Sequence, residues 1–321
     1  MADLKIEESE KYKLIEAFSK EPTFLDLFVE RSSWVTSLQF SRDGKRFLSG
    51  FENGAIRLWN LIDKELIHCL DHLGNVLCVS FLPSGRFALS GSKHGGLILW
   101  DLKSGKEKRR FEIGKQLNTT RPKHSVSLSS DGRYALSGGW ASPVFLWNVR
   151  TGRKIRDYGE RKASSYCWGV AFLPDNRQFI ESYWRTITLY NVDTGEKIRQ
   201  FDGHTSEIRT LTNTPDGKYI ISGGCDGTIR IWDIDSGNEV HRLGDETNYV
   251  LSTACSPDSR HFISGGMDKK IHLWDIASGR EIYCFEGHTD YVRCVALSPD
   301  GKFALSGSND QTICLWKVPQ D

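Results

Sequence analysis

Histidine, serine and aspartate are the residues of this chain that could most readily do chemistry. The sequence has nine histidines beside many serines and aspartates, so a hydrolytic triad has to be considered. In such a triad a histidine takes the proton of a serine hydroxyl and a carboxylate orients the imidazole. No phosphate-binding loop, nucleophile elbow or metal-ligand cluster accompanies these residues in the sequence. The glycine pairs Gly95-Gly96 and Gly138-Gly139 fit turns between strands better than a ligand loop.

The cysteines and the charge favour a reduced, cytoplasmic protein without a nucleic-acid or membrane partner. The eight cysteines contain no C-x-x-C pair, and several fall in strand-like segments, where a thiol packs as a small apolar side chain. A net charge of +1 provides no global field for nucleic acid or anionic lipid. The charged start, Met1–Glu8, does not resemble a signal peptide, and Val76–Leu82 has only the length of a strand.

The elements that position these residues are short strands, which are easiest to see in residues 285–318. Three apolar and β-branched runs, Tyr291–Leu297, Phe303–Ser306 and Thr312–Trp316, each have the length of one strand. Turn-forming residues separate them, first Ser298–Gly301 and then Ser308–Gln311. This segment therefore predicts three antiparallel strands joined by tight turns.

The same segment recurs along the chain, and an aromatic residue closes the third strand of every copy. Successive closing residues are 41, 47, 43, 42, 42 and 42 positions apart. The closing residues are Trp59, Trp100, Trp147, Tyr190, Trp232, Trp274 and Trp316. Trp-Asp follows at 100, 232 and 274, and Trp-Asn at 59 and 147. A period near 42 residues with Trp-Asp and Gly-His signatures is typical of a β-propeller, and residues 22–318 resemble the WD-repeat family.

The resemblance implies an all-β chain with seven blades of four antiparallel strands. Residues 22–321 are predicted to form the propeller, and residues 1–21 a helical arm packed on its rim or available to a partner. Thr23–Val29 is a strand without its own blade, whereas the last repeat ends too early to supply a fourth strand. The N-terminal strand is therefore expected to complete the last blade, which would remove the open sheet edges.

The resemblance also implies a structural role for some of the histidines. In WD-repeat proteins a histidine before the first strand, a serine or threonine of the second, an aspartate of the next turn and the tryptophan bond to one another. Complete sets map to His204, Ser222, Asp226, Trp232 and to His288, Ser306, Asp310, Trp316. Other blades depart from this pattern, blades 3 and 4 most of all. A set that recurs from blade to blade favours structure over catalysis, so no catalytic residue is assigned.

Partners of such propellers commonly bind the face that carries the turns between second and third strands and the channel mouth. Aromatic and arginine side chains are predicted to collect there, and these residue types often dominate binding energy. The candidate partner-binding residues are Trp34, Trp140, Tyr166, Trp168, Tyr183, Trp184, Arg209, Tyr249, Met267, Tyr291 and Arg293. The opposite face carries basic residues beside aspartates, from Asp43 and Lys45 to Asp300 and Lys302, which favours a charge-balanced rim.

These features predict a non-enzymatic, signalling-type scaffold or adaptor that binds a peptide or loop of a protein partner. The propeller itself is expected to be monomeric within a larger complex, without metal or cofactor. One alternative is a small-molecule or catalytic pocket at the channel mouth built by His124, Glu207, Arg209 and Arg293. The other is a purely structural subunit that is held in an assembly by residues 1–21.

Overall fold

Twenty-eight strands build the protein, and they form seven antiparallel sheets of four strands each. The computed structural model describes residues 23–29, 33–94, 96–111, 123–140, 142–159, 166–244 and 247–320. The predicted all-β, seven-bladed propeller is confirmed. The predicted helical arm, residues 1–21, lies outside the described residues. In the described part of the chain, no helix has the length and apolarity needed to span a membrane.

Six of the blades follow one another in chain order. Blade 1 contains β2 (Val35–Phe40), β3 (Arg46–Phe51), β4 (Ala55–Asn60) and β5 (Glu65–Asp71). Blade 2 contains β6 (Val76–Phe81), β7 (Phe87–Ser92), β8 (Gly96–Asp101) and β9 (Lys106–Phe111). Blade 3 contains β10 (Lys123–Leu128), β11 (Tyr134–Gly139), β12 (Val144–Asn148) and β13 (Lys154–Tyr158). Blade 4 contains β14 (Val170–Phe172), β15 (Gln178–Tyr183), β16 (Thr186–Asn191) and β17 (Lys197–Asp202).

The remaining strands complete blades 5 to 7. Blade 5 contains β18 (Ile208–Asn213), β19 (Tyr219–Gly224), β20 (Ile229–Asp233) and β21 (Glu239–Leu243). Blade 6 contains β22 (Val250–Cys255), β23 (His261–Gly266), β24 (Ile271–Asp275) and β25 (Glu281–Phe285). Blade 7 combines β26 (Val292–Leu297), β27 (Phe303–Ser308) and β28 (Thr312–Lys317) with β1 (Phe24–Val29) from the start of the chain.

The order of strands within a blade follows from their composition. The first strands of neighbouring blades contact one another around the ring, so they lie innermost. Second strands such as β7 are almost wholly buried, because both of their faces pack against adjacent blades. Fourth strands such as β9, with sequence KEKRRF, leave charged residues exposed and bury the final phenylalanine. Within each blade, the composition thus changes from mostly apolar in the inner strands to charged and solvated in the fourth strand.

A β-bulge interrupts the first strand in every blade except blade 4. In blade 1, Val35 pairs with Phe51 and Ser37 with Gly50, so Thr36 has no partner in the ladder. A bulge of this kind turns the side chain of the extra residue away from its regular alternation. The equivalent residues are Leu77, His124, Arg209, Leu251 and Arg293.

Blade 4 has a shorter first strand than the other blades. It covers only Val170–Phe172. The N–H of Gly169 donates to the Ser182 hydroxyl at 2.9 Å instead of to a carbonyl of the neighbouring strand. The Gly169 carbonyl still accepts the backbone N–H of Ser182 at 2.9 Å, so only one of the two backbone hydrogen bonds is replaced at this position.

The N-terminal strand closes the ring, as the sequence predicted. β1 pairs antiparallel with β28, from Phe24 opposite Trp316 to Val29 opposite Thr312. The buried ring of Phe28 reaches into the next blade, where it packs edge-on against Phe47 and Trp59 at centroid distances of 5.1 and 5.4 Å. The closing strand therefore joins blades 7 and 1 through hydrogen bonds on one side and aromatic packing on the other.

Replacing Phe28 with alanine should lower the free energy of unfolding by about 3–5 kcal/mol, because it removes a buried aromatic ring from this junction. Leu25→Ala is the matched control, since Leu25 lies in the same strand and is 44% exposed. The control should change the free energy by only about 0.5 kcal/mol. Urea unfolding followed by tryptophan fluorescence measures both, and equal losses would show that β1 does not anchor the ring through Phe28.

Candidate functional site

Blades 5 and 7 hold continuous polar networks between strands. In blade 5, His204 Nδ1 donates to Asp226 at 2.8 Å, and its Nε2 lies 2.8 Å from the hydroxyl of Ser222. The Trp232 indole N–H donates to the same hydroxyl at 2.9 Å. The Ser222 hydroxyl therefore forms hydrogen bonds with both Trp232 and His204. All four side chains are buried or almost buried.

The second network has the same geometry in blade 7. His288 lies 2.8 Å from Asp310 and 2.7 Å from Ser306, and the Trp316 N–H donates to Ser306 at 2.7 Å. Burial alone would lower the pKa of His288, but its contacts with Cys314 and with the Asp310 carboxylate raise the pKa to about 10. Two such buried and saturated sets leave no room for a substrate at the serine, which agrees with a structural role.

The link between tryptophan and serine persists in the blades that lack the full set of histidine and aspartate. The indole N–H donates to a second-strand serine in blades 1, 2, 3 and 6, at distances of 2.8–2.9 Å. The pairs are Trp59–Ser49, Trp100–Ser90, Trp147–Ser137 and Trp274–Ser264. In blade 4 the Tyr190 hydroxyl donates instead to the buried Glu181 carboxylate at 2.9 Å.

Blade 6 has a substitute network that the sequence analysis missed. His272, on the third strand, lies 2.7 Å from Asp268 through Nε2 and 3.0 Å from Glu281 through Nδ1. Burial opposes the charge on this ring, but the contacts with Asp268, Cys284 and Glu281 raise the pKa of His272 to about 11. His272, Glu281 and Cys284 are close enough to hold a metal ion. A metal would have to displace the proton that the two carboxylates stabilise, so the arrangement favours an imidazolium.

A recurring backbone hydrogen bond brings together the two groups of predicted partner-binding residues. In six blades the carbonyl just before the first strand accepts the N–H of a residue in the turn between the second and third strands. The pairs are 34–52, 75–93, 166–184, 207–225, 249–267 and 291–309. Tyr249 and Met267 therefore lie side by side, as do Tyr166 and Trp184. We call this surface, which surrounds the end of the channel, the channel-mouth face.

Tyr183 does not belong with the other residues of this surface. In the shorter turn of blade 4, Trp184 rather than Tyr183 bonds to Tyr166, and Trp184 adopts a positive φ of 56° there. The Tyr183 hydroxyl is buried at a cavity between blades 3 and 4. Its placement on the channel-mouth face was therefore wrong, because the alignment of blades did not account for the shortened turn.

A stack of aromatic rings crosses the channel-mouth face from blade 3 to blade 5. Trp140 forms an isolated β-bridge with Tyr166, and their ring centroids are 6.3 Å apart. Tyr166 stacks on Trp168 at 5.1 Å and an interplanar angle of 16°. The Arg209 guanidinium lies over the Trp168 ring at 3.6 Å, close enough for a strong cation–π interaction.

A second arginine has a similar position on the other side of the channel. The Arg293 guanidinium lies 4.6 Å from the Trp34 ring centroid and donates to the side chain of Asn309. Burial lowers the pKa of Arg209, and the positive charge of Arg293 lowers it further, although arginine keeps its charge. Both arginines line a cavity of about 240 Å³ to which all seven blades contribute. Glu207 lies 3.9 Å from Arg209, whereas the His124 side chain lies outside the described residues.

Aspartates organise the turns on the opposite face. The Ser41 hydroxyl donates to Asp43 at 2.6 Å and lowers the pKa of that carboxyl group. The same contact, at 2.5–2.7 Å, recurs at Ser129–Asp131, Thr214–Asp216, Ser256–Asp258 and Ser298–Asp300. Each aspartate also accepts the backbone N–H of the basic residue two positions later. The aspartate charges of the rim thus serve local turn structure, and the basic residues take part through their backbone N–H groups.

Comparison with protein families finds matches in five of the repeats. The family described as WD domain, G-beta repeat, matches residues 24–60, 64–101, 195–233, 237–275 and 279–317. The two repeats between 102 and 194 are not matched, and they include blades 3 and 4, where the complete polar network is absent. The five matched segments together cover more than half of the chain.

Three curated proteins illustrate the range of similar chains. NACHT domain- and WD repeat-containing protein 1 of Mus musculus is 34% identical over 27% of this chain and 6% of its own length. Protein HIR1 of Eremothecium gossypii is 23% identical over 62% of this chain and 22% of its own length. Guanine nucleotide-binding protein subunit beta-1 of Caenorhabditis briggsae is 25% identical over 60% of this chain and 43% of its own length. The chain therefore spans less than half of each relative.

Ser306→Ala should lower the free energy of unfolding by about 1–3 kcal/mol, because the buried Trp316 and His288 nitrogens lose their shared partner. Ser264→Ala is the matched control in blade 6, where the serine bonds to Trp274 but not to a histidine. We expect a smaller loss for the control. Urea unfolding of both variants at one pH measures the difference, and a larger loss for Ser264→Ala would contradict the proposed value of the histidine link.

The His272 network should make part of the stability depend on pH. Because the folded pKa of His272 is raised to about 11, its contribution is complete below the unfolded value near 6.5 and falls as the pH rises toward 11. The difference in unfolding free energy between the wild type and His272→Gln should therefore be larger at pH 6 than at pH 10. Unfolding curves at these two pH values test this expectation, and a difference that grows with pH would reverse the assignment.

Proposed function

The chain belongs to the WD40 repeat family, and on that basis we propose that it is a non-enzymatic scaffold that binds a protein partner on its channel-mouth face. The distribution of exposed aromatic rings carries this proposal. Six tryptophan and tyrosine side chains in the described residues are at least 36% exposed. Five of them lie on the channel-mouth face, namely Trp34, Trp140, Trp184, Tyr249 and Tyr291, and Tyr134 is the exception.

An exposed ring costs solvation free energy that a partner can recover, and tryptophan, tyrosine and arginine commonly dominate interface energies. The rings are also in contact before binding, because Trp140 packs against Tyr166 and Tyr166 stacks on Trp168. A preorganised surface loses little conformational entropy when the partner arrives. These properties suit a peptide or loop laid across the face.

The two arginines indicate the chemistry of the part of the partner that reaches the channel. Arg209 and Arg293 line the same cavity, and each stacks on a tryptophan. An acidic side chain of the partner would relieve the repulsion between them and accept charge-assisted hydrogen bonds. The nematode relative is by its name a subunit of a guanine nucleotide-binding protein, which supports function inside an assembly.

In quantitative pulldowns from the native lysate, a triple variant with Trp34→Ala, Trp168→Ala and Tyr291→Ala should capture at least tenfold less partner than the wild type. A tenfold loss of affinity corresponds to about 1.4 kcal/mol of binding free energy. The control is Ile62→Ala, Ile155→Ala and Ile198→Ala, since these apolar residues are equally or more exposed but outside the channel-mouth face. Both variants must show the melting temperature of the wild type. Equal capture by all three proteins would exclude this face and direct attention to residues 1–21.

A further inference from the structure

Blade 4 has a cavity at the position that a histidine ring fills in blades 5 and 7. Glu181 is the fourth residue of β15, as Ser222 is the fourth residue of β19. Ser222 receives both His204 and Trp232, whereas Glu181 receives only the Tyr190 hydroxyl among the described residues. Residues 160–165 contain no histidine. A cavity of about 260 Å³ lies beside Glu181, many times the roughly 30 Å³ that one water occupies.

The cavity presents hydrogen-bond acceptors that the described residues leave unsatisfied. Glu181 is 6% exposed, and a buried carboxylate with a single hydrogen bond is unfavourable. The hydroxyl of Ser142, also buried, lines the same cavity and has no hydrogen-bond partner among the described residues. Gly159 keeps the space in front of the carboxylate open, because a side chain at this position would begin 3.5 Å from Glu181 Oε1.

The walls of the cavity favour a flat cation. Tyr158, Tyr183 and Tyr190 supply aromatic surface around the carboxylate. The Tyr158 hydroxyl is already used, since it donates to the Val192 carbonyl at 2.6 Å. The exposed residues Lys197 and Gln200 form the outer edge, so the cavity reaches solvent. Aromatic faces and a carboxylate together stabilise a planar cation that can donate two hydrogen bonds to oxygen.

We propose that this cavity between blades 3 and 4 binds a guanidinium group. The carboxylate of Glu181 accepts its N–H donors, the Ser142 hydroxyl accepts another, and the tyrosine rings contact its plane. The site is separate from the channel-mouth face. A failure to bind guanidinium at this cavity would therefore leave the proposed function intact.

Methylguanidinium is the probe that tests the site, because it keeps its charge across the useful pH range. Ligand-observed NMR titration at constant ionic strength should show saturable binding to the wild type at pH 8. Glu181→Gln keeps the shape of the side chain but removes its charge, and it should weaken binding at least tenfold. Ser142→Ala provides a second variant with a smaller loss, and Glu65→Gln, at an exposed glutamate of blade 1, should change nothing.

Acid should weaken the binding. Burial raises the pKa of Glu181 to about 7 against the opposing contacts of Tyr190 and Lys197, so the carboxylate is mostly neutral at pH 6 and mostly charged at pH 8. Affinity should therefore fall about tenfold between pH 8 and pH 6. The other titratable groups at the cavity are Tyr158, Cys167, Tyr183, Tyr190 and Lys197. The pH dependence should disappear in Glu181→Gln, which separates the carboxylate from these groups.

Absence of saturable binding to the wild type at pH 8, or undiminished binding in a folded Glu181→Gln variant, would overturn the proposal.

Discussion

The pairing of β1 with β28 is the interaction on which the rest of the ring depends. Each blade is stabilised by its neighbours, because second and third strands bury both faces against adjacent sheets. An open ring would leave blade 7 with three strands and an exposed edge. The closing strand joins residues almost a full chain length apart. Since the entropy of loop closure grows only slowly with length, many interblade contacts can offset this cost.

Equivalent blades use different polar side chains to satisfy the same buried hydrogen-bond donor. Every blade must satisfy the N–H or O–H of the aromatic residue that closes its third strand. Blades 5 and 7 use a serine backed by histidine and aspartate, and blades 1, 2, 3 and 6 use the serine. Blade 4 uses Glu181. In blade 4, where the histidine is absent, a cavity of about 260 Å³ lies beside Glu181.

Much of the fold was predictable because its determinants are local. The closing tryptophans and the turn residues fix strand ends within one blade, and the unpaired strand at residues 23–29 implied closure with the last blade. The candidate surface was predictable only in part. Tyr183 lies at the cavity and not on the channel-mouth face, because the turn of blade 4 is shorter than the other turns. The hydrogen bond from the Trp184 N–H to the Tyr166 carbonyl shows this difference.

The interactions missed by the sequence analysis are those that depend on contacts across strands. His272 lies on a third strand, two residues before Trp274, where the repeat pattern does not predict a histidine. Asp268 lies four residues earlier in the chain, whereas Glu281 is brought to His272 only by the register of β24 with β25. Glu181 looks like an ordinary surface glutamate in the sequence, and its burial follows from the pairing of β15 with both neighbours. Charge burial of this kind has no local sequence signal.

The bulged residues of the first strands can vary in side chain without changing the strand pairing of their blades. A bulged residue has no partner in the ladder, so exchanging its side chain leaves the backbone pairing of the blade unchanged. Equivalent positions accordingly hold threonine, leucine and arginine, at Thr36, Leu77 and Arg209. The bulged positions thus form a set of sites around the channel at which different blades hold different residue types. A substitution at one bulge can therefore change the lining of the channel in a single blade while the strand pairing of the fold is kept.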